Sequence, residues 1–147
     1  MLTATPVAFE GPLSVANPAV IAQLREVLTR HGFTGTAVGD ALGTPLPFGK
    51  SHMRDDLPLY LRRVEAPTPI HTLVKLFVLD RSVDEARARQ PFAPLDLEAV
   101  IDTGLLEHGP RGIRAALRLS LHDGLLLAHD AYDEGTQTLR ADHVHVV

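Results

Sequence analysis

A chain of 147 residues, 45% hydrophobic and 22% charged, is long enough for one domain with a real core, or for a small domain with a helical extension. A formal net charge of −4 speaks against a dedicated nucleic-acid binder, whose phosphate contacts call for a basic surface. With no cysteine, disulfides and thiolate metal sites are excluded. No apolar run approaches the roughly 20 residues a membrane span needs, and the N-terminus lacks the positive segment of a signal peptide, so a cytoplasmic chain without membrane contact is expected.

Asn17-Pro18 joins a good N-cap to a residue suited to the first helical position. Val20, Ile21, Leu24, Val27 and Leu28 follow on one helical face, and Gly32 supplies the stop. Residues 33–42 predict a short second helix ended by Gly43. Residues 43–49, with Pro45 and Pro47, predict a loop, and 57–64 a short helix with Pro58 in its first turn. The break at Pro67 and Pro69 divides an N-terminal helical extension (1–66) from a second unit (67–147), unless both form one compact body.

Thr68-Pro69 repeats the helix-start signal, and 70–79 is apolar on almost every side, as a central helix would be. Ser82-x-x-Glu85 has the pattern of a capping box and opens a helix to about Arg89. Pro91 and Pro94 break the chain. Asp96 caps a third helix, with Leu97, Val100 and Ile101 inward and Gly104 as its stop. Residues 116–121 alternate, with Leu117, Leu119 and Leu121 on one face, which predicts a strand. His122-Asp123-Gly124 contains a hairpin-turn signal, 125–131 returns as the partner strand, and after Asp133-Glu134-Gly135 a third strand is expected over 139–147. The apolar, β-branched end at 143–147 is either a native terminal strand or a cut before a following domain.

Three helices followed by a two-stranded hairpin is the order of a winged helix. The expected fold class is therefore α+β, mainly helical: a winged helix of three helices plus a β-hairpin wing, with an N-terminal helical extension. Residues 97–103 then take the place of the recognition helix and 118–128 that of the wing. Such a helix reads DNA with Arg, Lys, Asn or Gln. Here the outward positions are Asp96, Glu98, Asp102 and Thr103, and residues 67–112 hold seven acids against five bases. This charge is wrong for DNA and suits a module that binds protein or serves the architecture.

One basic strip, Arg111, Arg114 and Arg118, enters the wing. It either grips phosphate, RNA or an acidic partner patch, or forms a solvated edge that discourages strand pairing. The same two readings apply to Arg62-Arg63. His143-x-His145 places two imidazoles on one side of a strand, the best metal spacing in the chain, but the sequence does not specify whether His129 or His122 would complete a site, and the pair reads first as ordinary surface with no metal. No His-Glu-x-x-His, Gly-x-Ser-x-Gly or P-loop pattern occurs, and Asp55-Asp56 reads as an ordinary helix start.

Leu24-Arg25 with His31-Gly32-Phe33, the run Pro69-Ile70-His71-Thr72-Leu73-Val74-Lys75-Leu76-Phe77-Val78-Leu79, residues 95–106 and the hairpin 117–130 carry a resemblance. Over Arg25 to Val147 the chain looks like the N-terminal domain that precedes the catalytic domain in bacterial S-adenosylmethionine-dependent methyltransferases of the HemK-like and methyltransferase small-domain type. The resemblance implies a non-catalytic accessory domain for substrate positioning or interdomain packing. Its partners would be a downstream catalytic domain and a protein or RNA substrate. S-adenosylmethionine would bind in that downstream domain and no cofactor in this chain, because the family's glycine-rich loop and Asn-Pro-Pro-Tyr-like motif are missing here. The rival expectations are a stand-alone winged-helix transcription factor and a small metal enzyme using His143 and His145.

Overall fold

The computed structural model describes residues 18–44, 56–122 and 125–130, and in it helices come first and antiparallel strands follow. Helix α1 (Pro18–Arg30) buries Leu24, Val27 and Leu28, the face the periodicity marks out. It ends at Gly32, whose φ of 64° lets the N–H groups of Gly32 and Phe33 donate back to the carbonyls of Thr29 and Leu28 at 3.0 and 2.9 Å. Helix α2 (Gly35–Leu42) starts where the Thr34 hydroxyl accepts from the Ala37 N–H at 3.2 Å, and stops at Gly43. Helix α3 (Leu57–Arg63) carries Pro58 in its first turn and buries Tyr60.

Helix α4 (Pro69–Phe77) is the central element. Thr68 caps it by accepting from the His71 N–H at 3.3 Å, and Thr72, Leu73, Val74, Leu76 and Phe77 are all buried. Phe77 meets Phe33 and Phe92 edge to face, each with ring centroids 6.5 Å apart. Leu24 and Val27 before the Pro67 break join one hydrophobic core with Leu97, Ile113 and Leu119 after it.

Helix α5 (Glu85–Phe92) departs from the sequence expectation at both ends. Its N-cap is Asp84, whose Oδ1 accepts from the Arg87 N–H at 2.8 Å, and Ser82 lies outside it. The cause is a β-bridge just upstream: Val83 and Ile113 exchange both backbone hydrogen bonds, at 2.9 and 2.8 Å, which keeps the chain extended up to Asp84. At the other end Pro91 does not break the helix. It sits in the last turn, buried with Phe92. Burial of both rings outweighs the single ladder bond a proline forfeits there.

Helix α6 (Leu97–Asp102) follows Asp96, whose side chain makes no capping bond, and buries Leu97 and Val100. The buried Thr103 donates to the Val100 carbonyl at 2.6 Å and accepts from the Leu105 N–H at 3.3 Å. Strands β1 (Leu106–Gly109) and β2 (Gly112–Ala115) then form a hairpin around Pro110-Arg111. The sequence expectation runs straight from Gly104 to a strand at 116–121, because four-residue strands with His108 and Gly109 in them offer too few alternations to read. Gly112 is held at φ 124°, and a Cβ there would lie 2.3 Å from the Val83 carbonyl oxygen, so the bridge requires glycine.

Strands β3 (Leu117–His122) and β4 (Leu125–Asp130) make the second, expected hairpin, in register from Leu117↔Asp130 to His122↔Leu125. Leu117 and Leu119 of β3 are buried. The fold is thus α+β and mainly helical. The expected loop at Pro45 and Pro47, the turn at Asp123-Gly124 and the third strand over 139–147 lie outside the described residues. Among the described residues, no helix is long and apolar enough to cross a membrane.

Candidate functional site

The two hairpins place the three arginines of the basic strip differently. Arg111 is exposed in the turn between β1 and β2. Arg114, on the outward side of β2, stands opposite Glu107 of β1, and its Nε donates to Glu107 Oε1. Opposite charges directly across an antiparallel pair are the favourable arrangement there. Arg118 leaves β3 toward Asp80, with Nη2 3.6 Å from Oδ2, the two side chains 27% and 33% exposed. Its Nε is buried and makes no hydrogen bond among the described residues. Asp80 itself is a non-glycine residue at φ 55°, a backbone state aspartate tolerates better than most. Two of the three cations therefore face carboxylates of their own chain, and a grip on phosphate by all three would have to break both pairs.

The outer side of α6 keeps the acidic character expected of it, with Asp96, Glu98 and Asp102 exposed, whereas Thr103, expected to face outward as well, is buried. Side chains from neighbouring elements approach its first turn. His108 Nε2 of β1 lies 3.3 Å from Glu98 Oε1, and Arg89 Nη1 lies 3.8 Å from Asp96 while also pairing with Glu85. All of these side chains are at least half exposed, so solvent screens the pairs heavily.

Three further arginines have roles that sequence reading misses. Arg87 Nε donates to Thr72 Oγ1 at 3.0 Å, and its Nη2 donates to the carbonyls of Val64 and Ala66 at 2.7 and 3.1 Å. Arg63, from the pair Arg62-Arg63, donates to the Leu42 carbonyl at the end of α2. Arg30 donates to the Ala93 carbonyl at 3.0 Å, beside a 2.8 Å contact between His31 Nε2 and the Pro91 carbonyl. Each supplies donors to carbonyls at or beyond helix ends. The one local signal is the position of Arg30 and Arg63 in the last turn of their helices.

His143 and His145 lie outside the described residues. Among the described residues no group of three or more histidine, aspartate or glutamate side chains is arranged to hold a metal. A shallow depression of about 450 Å³ lies on the outer side of α1, lined by Ala22, Arg25, Glu26, Thr29 and Arg30. It is a mixed-charge helix surface with no convergent donors. Residues 30–116 match the model of a family described as a domain of unknown function, DUF7059. That span runs from the end of α1 through the first hairpin. No curated protein and no solved structure matches the chain.

Proposed function

The chain belongs to the DUF7059 family, of unknown function, so its role has to be argued from its own residues, and we propose a non-catalytic accessory domain of winged-helix type. It works in the cytoplasm beside the catalytic domain of an S-adenosylmethionine-dependent methyltransferase, positioning a protein or RNA substrate or packing between domains. The observation that carries the winged-helix part is the Val83–Ile113 bridge. It makes the order from Pro69 to Ala115 helix, one bridging residue, helix, helix, hairpin, with Val83 beside the second strand of the hairpin. In this reading the wing is 106–115 and not 118–128, and α6 takes the place of the recognition helix.

The exposed Glu98 and Asp102 on α6 favour a protein-facing or architectural role over DNA reading. The methyltransferase part rests on the resemblance across Arg25 to Val147. Titration calorimetry of S-adenosylmethionine into the 147-residue chain is expected to give no binding heat. A saturable isotherm would remove the division of roles, since the cofactor would then have a site here.

A DNA-binding reading has one observation in its favour: Arg111 is exposed at the tip of the first hairpin, where a wing meets the backbone of a duplex. Fluorescence anisotropy with a labelled duplex at about 50 mM salt is expected to show no association. Affinity that falls steeply as salt rises to about 200 mM would instead establish it.

A further inference from the structure

We draw no further inference here: the strongest candidate, the exposed apolar Leu127 on β4 of the second hairpin, carries nothing because nothing in the structure shows what covers it.

Discussion

The guanidinium of Arg87 serves three acceptors at once: the fully buried Thr72 hydroxyl and the carbonyls of Val64 and Ala66. Replacing it with alanine leaves acceptors on the 64–68 connection without their donor. Arg87→Ala is therefore expected to destabilise the fold by about 1–3 kcal/mol, read from urea denaturation. Arg87→Lys should recover only part of that, because an ammonium cannot span three acceptors with a planar fork. Full recovery by lysine would show that charge and not geometry is what this position supplies. None of this is visible in the local pattern around Arg87, since two of its three partners lie more than twenty residues away. The same limit applies to Arg114 and Arg118. Their spacing in sequence reads as a basic strip, and their partners Glu107 and Asp80 are set by strand register and by the turn after α4.

At the scale of elements, the start of α5 separates a local from a tertiary signal. Ser82-x-x-Glu85 is a legitimate capping-box pattern, yet Asp84 makes the capping bond because the Val83 bridge holds the preceding backbone extended. Asp84→Ala is expected to cost about 1 kcal/mol, whereas Ser82→Ala should stay within about 0.5 kcal/mol. Thermal unfolding of the two variants side by side checks the assignment, and the reverse ranking would return the cap to Ser82. The bridge has its own weak point in Gly112. Gly112→Ala places a Cβ against the Val83 carbonyl oxygen at a φ that L-residues rarely adopt. A loss above about 1 kcal/mol is expected, with faster amide exchange at Val83 and Ile113. Unchanged exchange at both amides would mean that the bridge does not depend on the glycine.

For the whole molecule, the question is whether the helices before Pro67 unfold with the rest. Phe77 of α4 touches Phe33 ahead of α2 and Phe92 at the end of α5, and the three rings lie in one continuous core. Far-UV circular dichroism and amide exchange at Leu28 and Val100 are expected to report a single coincident transition. Phe77→Ala is expected to lower stability by about 3–5 kcal/mol across both halves. Separate transitions, with only one half responding to Phe77→Ala, would establish two units divided near residue 66.

The signals legible in the sequence are local. Thr68-Pro69 starts a helix, and Gly32 and Gly43 stop two others, because capping and left-handed backbone depend on residues within one turn. The buried stripe of α1 and the alternation of β3 follow from helix and strand periods alone. The tertiary structure alone decided the rest: the Val83–Ile113 bridge, the Asp84 cap that follows from it, the burial of Pro91 inside α5 and the acceptors of Arg87. Each depends on a contact or a packing environment supplied by distant parts of the chain, and no periodicity or spacing encodes which distant residue will be the partner.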